Sequence, residues 1–417
     1  MRKPELLAPA GNLEKLQMAV RYGADAVYLG GKSFGLRAFA DNFEIAEMKE
    51  GIQFAHERGV RVYVTVNIFP HNADLNALPS YLETLRKIGA DALLVSDPGV
   101  IKIAQETVPD LPLHLSTQAN NVNWASAQFW AEHGVKRIVL ARELSLPEIK
   151  EIRVHTTVEL EVFVHGAMCI AYSGRCLLSN YLAGRDANRG ECAHPCRWRY
   201  ALVEEKRPGQ FYPVIEDERG TYIFNSRDLC LLPYLPELIK AGVDSFKIEG
   251  RMKSVHYVAT VVRAYRQAID ACWPDPDQFQ LNPAWMAELD KVSHRDYTTG
   301  FLFGKPTAQD QIYGNSSYRR TYDFIGLVRE YNPVTRLAVV EQRGHFARGE
   351  EIEVVGPRTA LFTQLLTELY DLDGQAIEAA PHPQQLVQIR VDQPVEAFDL
   401  LRRPRVMGEK GDGAGAD

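Results

Sequence analysis

Most of the cysteines are grouped in a way that suits a metal centre. Cys169, Cys176, Cys192 and Cys196 lie within residues 159–198, and Cys230 follows after 33 further residues. The intervals are rich in glycine, serine, asparagine, arginine and aspartate, which is the composition of loops and not of a core. Thiolates are ligands for zinc and for iron–sulfur clusters. The pattern therefore favours a bound metal over the alternative, a set of small buried apolar residues.

The spacing of these cysteines leaves the identity of the metal open. They follow the pattern C-x6-C, then C-x3-C, then the distant Cys230. Zinc sites usually pair their ligands as C-x2–4-C twice, and only Cys192 and Cys196 obey that rule. Iron–sulfur clusters also take four thiolates and accept them from scattered loops. Both metals stay open on spacing alone, and His194 is either a further ligand or a surface histidine.

The composition is that of a globular protein without the overall charge of a nucleic-acid-binding protein. The 417 residues carry a formal net charge of −7, and 46% of them are hydrophobic. The N-terminus lacks the apolar segment of a signal peptide, and no run of 18 apolar residues occurs, so we expect a cytoplasmic protein that does not span a membrane. The basic residues near the cysteines form either a local anion-binding surface or a solvated loop surface: Arg175, Arg185, Arg189, Arg197, Arg199, Arg227, Arg251 and Lys253.

The elements that must position these residues recur along the first 250 residues. A glycine at 23, 59, 89, 134 and 242 closes a helical pattern and precedes a short apolar run, as expected for a left-handed helix terminus. The predicted strands are 5–8, 26–29, 60–66, 92–95, 113–116, 138–141, 160–164 and 245–248. Eight strands that alternate with helices predict a closed parallel (β/α)8 barrel. An open Rossmann-like sheet is the alternative, but the first strand is not followed by G-x-G-x-x-G.

Polar side chains follow the predicted strands at their C-terminal ends, where barrels of this kind carry their chemistry. They are Asn67, Gln118, Arg142, Glu143, His165, Glu249 and Arg251. Each one by itself could equally be a turn or cap residue. Together they form a ring around one opening, and that ring predicts a substrate site.

The remaining segments divide the chain into further units. A cysteine-rich insertion at about 166–235 separates the seventh and eighth strands, which is far longer than an ordinary loop. The barrel with this insertion is predicted over 1–275, a helical linker over 276–320, and a small β-barrel domain over 321–406. Residues 407–417 are too polar and glycine-rich to pack and are predicted to be a disordered tail.

Three segments resemble a known family. The run E-x-F-x-x-G-A-M-C-x6-C, from Glu161 to Cys176, is similar to the signature of the collagenase-like peptidases, peptidase family U32. The segments ELLAPAGN and KIEGRMKS resemble the same family, so the similarity covers most of residues 5–270. The C-terminal segments FIGLVREY and VEQRGHFARGEEIEV resemble the branch of prephenate-dependent tRNA uridine hydroxylases.

This resemblance implies a barrel that carries a 4Fe-4S cluster, with zinc as the alternative metal. The implied cluster ligands are Cys169, Cys176, Cys192 and Cys230, and Cys196 is an alternative fourth ligand. The implied reaction converts the wobble uridine of tRNA to 5-hydroxyuridine and needs prephenate. We expect Asn67, Gln118, His165 and Glu249 to be catalytic, and Arg142, Glu143, Arg227 and Arg251 to bind substrate. Arginines suit prephenate because it is a dicarboxylate.

Two other functions stay open beside RNA hydroxylation. A peptidase would need a nucleophile with a base or an activated water, and neither H-E-x-x-H nor G-x-S-x-G occurs. A non-catalytic iron–sulfur subunit of a hydroxylase complex is the third function. The expected partners are tRNA, prephenate and an electron donor or cluster-delivery protein. Arg319, Arg320, Arg343 and Arg348 are the expected basic contribution of the C-terminal domain to an RNA surface.

Overall fold

The computed structural model describes four long parts of the chain: residues 2–35, 42–168, 225–305 and 319–405. It also describes the short segments 201–203, 211–213 and 311–312 and the single residues 183, 185 and 193. Cys169, Cys176, Cys192 and Cys196 lie outside the described residues, as does the predicted tail at 407–417.

The predicted barrel is confirmed, because its eighth strand pairs with both the first and the seventh. The first seven strands are β1 (Glu5–Pro9), β2 (Ala26–Gly30), β3 (Arg61–Val66), β4 (Ala92–Val95), β5 (Leu113–Leu115), β6 (Arg137–Val139) and β7 (Glu159–Ala167). Four short strands follow: β8 (Ala201–Val203), β9 (Phe211–Pro213), β10 (Asn225–Ser226) and β11 (Asp228–Cys230). Strand β12 (Ser245–Ile248) then closes the barrel, and neighbouring barrel strands are parallel throughout.

Helices connect the barrel strands. They are α1 (Leu13–Arg21), α2 (Ile45–His56), α3 (Asn72–Leu75), α4 (Leu78–Lys87), α5 (Pro98–Thr107), α6 (Trp124–Glu132), α7 (Leu146–His155), α8 (Leu235–Lys240) and α9 (Val255–Cys272). Short 3-10 helices cover Thr117–Ala119 and Leu232–Tyr234. The five predicted helix-end glycines all have φ between +71° and +107°, so the recurrence in the sequence reflects a real left-handed turn. No helix among the described residues is both long and apolar enough to cross a bilayer.

Strand β7 extends beyond the barrel, and the segment after it builds on that extension. Strand β11 pairs antiparallel with the end of β7, which sets Cys230 opposite His165. Strand β13 (Tyr297–Thr298) adds to β11 in parallel. Among its described residues, the segment predicted as a helical linker therefore holds helix α10 (Pro283–Leu289) and also β13, a strand that belongs to the barrel sheet.

The C-terminal domain is an antiparallel half-barrel. Strand β14 (Gln311–Ile312) precedes this domain in the chain and pairs antiparallel with β10. The domain's strands are β15 (Tyr322–Asn332), β16 (Leu337–Gln342), β17 (Phe346–Ala347), β18 (Glu351–Val355), β19 (Phe362–Leu365), β20 (Leu369–Tyr370), β21 (Ala379–Ala380), β22 (Leu386–Arg390) and β23 (Leu400–Pro404). Seven of them form one sheet in the order β19-β18-β23-β15-β16-β22-β20. The domain has its own apolar core, which includes Ile325, Ile352 and Leu401.

The half-barrel packs against the barrel through buried polar and apolar contacts. Tyr22 of α1 donates its hydroxyl to the Phe398 carbonyl at 2.9 Å. Arg402 of β23 is fully buried between Glu288 of α10 and Glu353 of β18. Because a desolvated guanidinium needs carboxylate partners, the Arg402–Glu288 pair links the half-barrel to α10 across the buried interface.

A polar barrel mouth above a buried charge network

The lower interior of the barrel holds a network of charged side chains that sequence inspection did not find. Its members are three acids, Glu5, Glu159 and Glu161, and three bases, Arg61, Arg137 and Lys247. Lys247 Nζ lies 2.8 Å from one Glu161 oxygen, and Arg137 Nη1 lies 3.2 Å from the other. Burial by itself would raise the pKa of Glu161, but the charges of Lys247 and Arg137 outweigh it and lower that pKa. The charges balance, which is why the barrel tolerates them.

The upper interior is lined by amides and hydroxyls from three adjacent strands. Asn67, directly after β3, donates Nδ2 to Ser116 Oγ at 3.1 Å, and its carbonyl accepts from Ser96 Oγ at 2.9 Å. Gln118 is buried on the 3-10 helix after β5, and its backbone N–H donates to the same Ser116 oxygen. Asn67 and Gln118, both predicted site residues, therefore share Ser116 as a partner, and Ser96 and Ser116 join them although neither was among the predicted site residues.

Arg251 reaches across the mouth from the end of β12. Its guanidinium is buried, and Nη1 lies 3.2 Å from Thr65 Oγ1 on β3. Gly30, at the end of β2, makes this position possible, because a Cβ atom there would lie 2.4 Å from Arg251 Nη1. The guanidinium is therefore held against β3 at the barrel mouth, where it can meet an anionic ligand.

Arg142 and Glu143 lie on the β6 side of the mouth. The Arg142 guanidinium stacks on the Phe163 ring, with Cζ 3.8 Å from the ring centroid, and donates to the Ala167 carbonyl. Glu143 is partly buried, and that burial raises its pKa above the ordinary value. Arg227 directly precedes β11 and is half-buried. Glu249 follows β12, and its carbonyl accepts from the Tyr257 hydroxyl at 3.0 Å.

His165 does not join the mouth residues. Its ring packs against α9 and β13, with centroid distances of 5.9 Å to Tyr257, 5.4 Å to Tyr265 and 5.4 Å to Tyr297. It is 1% exposed, and burial lowers its pKa to about 3, so the imidazole is neutral at physiological pH. A neutral imidazole enclosed by three tyrosines is placed to hold hydrogen bonds rather than to exchange protons with solvent.

Cys230 lies next to His165 in the same enclosed region. Its thiol is 4% exposed, and burial raises its pKa to about 11. The Leu232 backbone N–H hydrogen bonds to the sulfur, and Tyr265 Oη lies 3.9 Å from it. A buried thiol with hydrogen-bond donors around the sulfur suits a thiolate whose charge a metal neutralises. Cys230 therefore fits the role of cluster ligand. Within the part of the chain that the structure describes, no group of three metal-ligating side chains is assembled.

The four arginines suggested for an RNA surface occupy different environments. Arg319, Arg320 and Arg348 are exposed and form surface ion pairs with Asp296, Asp323 and Glu378. Arg343 instead pairs with Glu14 of α1 in the domain interface. Arg343 is therefore a weaker candidate for an RNA-binding surface than the other three arginines.

The fold and the mouth define a (β/α)8 protein with a C-terminal half-barrel, and the comparisons with known proteins give the family. The profile of peptidase family U32 matches residues 11–312, and the profile of the peptidase family U32 C-terminal domain matches residues 320–402. The chain belongs to peptidase family U32. This confirms the resemblance seen in the sequence.

Relatives within the family carry names from RNA modification. A tRNA hydroxylation protein P1 of Bacillus subtilis is 45% identical over 402 residues, which cover 96% of this chain and 95% of the relative. A tRNA hydroxylation protein P of Escherichia coli is 39% identical, and the similarity covers 97% of each chain. A 23S rRNA 5-hydroxycytidine synthase of Escherichia coli is 39% identical over 267 residues, covering 64% of this chain and 39% of the relative.

Proposed function

We propose that this protein is an RNA-modifying enzyme that hydroxylates the wobble uridine of tRNA to 5-hydroxyuridine in a prephenate-dependent reaction. The full-length similarity to tRNA hydroxylation proteins carries the proposal, because it spans the barrel and the half-barrel together. The barrel similarity to a synthase of 5-hydroxycytidine supports the same chemistry, since both products are 5-hydroxypyrimidines in RNA.

The mouth of the barrel offers groups that suit both proposed substrates. The Asn67 and Gln118 amides each carry donors and an acceptor, which match the edge of a uracil ring. The guanidiniums of Arg251 and Arg142 match the carboxylates of prephenate, and a planar guanidinium can bind a carboxylate through two parallel hydrogen bonds. Glu143, Glu249 and Arg227 flank these groups and remain predicted site residues.

A 4Fe-4S cluster is proposed on Cys169, Cys176, Cys192 and Cys230, with Cys196 as the alternative fourth ligand and zinc as the alternative metal. The dry surroundings of Cys230 and the N–H donor at its sulfur support this role. When bound, such a cluster supplies one-electron transfer. The protein itself buries the Cys230 thiolate and orients the hydrogen-bond donors around its sulfur.

The tRNA would approach along the half-barrel side, where Arg319, Arg320 and Arg348 are exposed. Their weak surface ion pairs can be exchanged for phosphate contacts at little cost. Because the whole chain is acidic, binding through a few arginines should be local and sensitive to salt.

Peptidase chemistry based on His165 gains no support from the described residues. The imidazole is neutral and enclosed by tyrosines, and the nearby Cys230 has a raised pKa, which opposes its use as a nucleophile.

The proposal is tested by deleting the gene in its host and measuring 5-hydroxyuridine and its derivatives in tRNA by mass spectrometry. We expect these nucleosides to fall when no paralogue is present, and to return when the wild-type gene is restored. A gene carrying Cys272→Ser, a change at a buried cysteine outside the proposed ligand set, should restore them too. Unchanged nucleoside levels in a strain without paralogues would refute the assignment.

A further inference from the structure

The hydroxyl of Tyr265 stands between three groups in the enclosed region behind β7. It donates to the Val164 carbonyl at 2.7 Å, and it lies 3.4 Å from His165 Nδ1 and 3.9 Å from Cys230 Sγ. All four residues are buried. The hydroxyl has one hydrogen to give, so which of its acceptors receives that hydrogen depends on the charge of the sulfur.

The Val164 carbonyl does not depend on Tyr265. It also accepts the backbone N–H of Leu231 at 2.8 Å, a contact that continues the pairing of β7 with the segment after β11. The Tyr265 hydroxyl can therefore stop donating to this carbonyl without leaving a buried acceptor unpaired. Turning about its C–O bond is enough to redirect it toward the sulfur.

The state of Cys230 decides which acceptor is the better one. As a neutral thiol the sulfur is a weak acceptor, and the carbonyl keeps the hydrogen. As a metal-bound thiolate it carries negative charge, and hydrogen bonds to charged acceptors are about twice as strong as neutral ones. The Leu232 N–H already donates to the same sulfur, so a second donor from Tyr265 would complete its surroundings.

We propose that Tyr265 is a positioning residue that donates its hydroxyl hydrogen to the Cys230 sulfur when a cluster is bound, and so tunes the cluster's reduction potential. This inference rests on the proposed function, because it requires Cys230 to be a cluster ligand. Hydrogen bonds to cluster sulfurs stabilise the reduced, more negative state and raise the potential. Tyr265 therefore makes the cluster easier to reduce.

A matched control lies in the same enclosed region. Tyr297 also packs on the His165 ring and is close enough to interact electrostatically with Cys230. Its hydroxyl, however, donates to the Leu289 carbonyl at 2.9 Å. Tyr297→Phe thus removes a buried hydroxyl from the same surroundings without removing a donor to the sulfur.

The test compares anaerobically purified wild-type protein with Tyr265→Phe and Tyr297→Phe by iron analysis and a redox titration followed by electron paramagnetic resonance. We expect equal iron contents, a midpoint potential shifted to a more negative value in Tyr265→Phe, and a much smaller shift in Tyr297→Phe. A fully loaded Tyr265→Phe protein with the wild-type potential would overturn the inference and leave the proposed cluster intact. Wild-type protein without an iron–sulfur cluster would overturn the proposed cluster, and the inference with it.

A second measurement covers the case in which Tyr265→Phe does not fold. In the wild-type protein, exchange into deuterated water should shift an iron–cysteine sulfur stretching band in the resonance Raman spectrum, with the hydroxyl deuteron as one of its sources. The Leu232 amide contributes as well, so the decisive comparison is with protein that carries 3-fluorotyrosine in place of Tyr265, which keeps the ring in position and makes its hydroxyl a stronger donor. A larger deuterium shift and a more positive midpoint potential in the fluorotyrosine protein than in the wild type support the inference. An unchanged shift and an unchanged potential contradict it.

Discussion

Replacing Glu161 by glutamine tests whether the buried charges inside the barrel act as one balanced unit. Glu161 is fully buried, and its two oxygens lie 2.8 Å from Lys247 Nζ and 3.2 Å from Arg137 Nη1. Glutamine keeps the shape of the side chain but removes its charge, so the network of three acids and three bases gains one uncompensated positive charge. Breaking a buried ion pair from one side costs about 3–5 kcal/mol. We expect Glu161→Gln to lower the free energy of unfolding by about that amount.

The assay is urea unfolding followed by tryptophan fluorescence. All five tryptophans fall within residues 124–285, so none of the signal comes from the half-barrel, whose strands begin at Tyr322. The double variant Glu161→Gln with Lys247→Met removes both charges of one pair, and its loss should be smaller than the sum of the single losses by about 1–3 kcal/mol. A loss below about 1 kcal/mol in Glu161→Gln, or strictly additive losses in the double variant, would refute the idea of a balanced network.

The same network predicts that the free energy of unfolding depends on pH. Burial opposes ionisation of Glu5 and Glu161, but Arg137 and Arg61 lower the pKa of Glu5, and Lys247 and Arg137 lower the pKa of Glu161, each below its ordinary value. A depressed pKa in the folded state contributes stability that is present above the unfolded pKa of about 4.3 and is lost as the pH falls through the folded pKa. The urea midpoint of the wild-type protein should therefore fall at acid pH, and more steeply than that of Glu161→Gln.

Three further outcomes are expected. Gly30→Ala should lower kcat/KM for prephenate at least about 10-fold, because the new Cβ would displace the Arg251 guanidinium and a lost charged hydrogen bond is worth about 1.5–3 kcal/mol; an unchanged value would show that Arg251 does not bind this substrate. Cys230→Ser should lose iron in a colorimetric iron assay while Cys272→Ser keeps it, and equal iron in both would remove Cys230 from the ligand set. Arg402→Met should leave Glu288 and Glu353 sharing Lys291 as their remaining ion-pair partner among the described residues, and should weaken the domain interface enough to separate the two domains into distinct calorimetric transitions. One unshifted transition would contradict the interface described above.

The barrel could be predicted from the sequence because its signals are local. A glycine in a left-handed turn before each apolar strand recurs at 23, 59, 89, 134 and 242, and each position has the positive φ that the pattern requires. The strands added after β7 could not be predicted in the same way. β11 and β13 are three and two residues long, and they exist because β7 extends past the barrel and offers an edge to pair with.

A site residue could be predicted from the sequence only where its position at the end of a strand determines the direction of its side chain. Asn67, Gln118 and Arg251 follow the C-terminal ends of barrel strands, where Asn67 and the Gln118 backbone both contact Ser116 and Arg251 contacts Thr65 of β3. His165 follows the same rule in the sequence, but the register shifts between Lys247 and Ile248 where β12 pairs with β7, and its ring packs on α9 instead. A one-residue irregularity of this kind reverses the side to which a side chain points, and single-sequence periodicity does not reveal it.

Reconstitution of the reaction from purified components tests the proposed function most directly. Protein with its cluster would be incubated with unmodified tRNA and prephenate, in parallel without oxygen, under air and with an added two-electron oxidant, because converting the uracil C5–H bond to C5–OH removes two electrons. The nucleosides would be measured by mass spectrometry. The proposal predicts 5-hydroxyuridine at the wobble position, with none formed when prephenate is omitted or when Cys230→Ser replaces the wild-type protein. Cluster-loaded protein that leaves the wobble uridine unchanged with prephenate under all three conditions would contradict it.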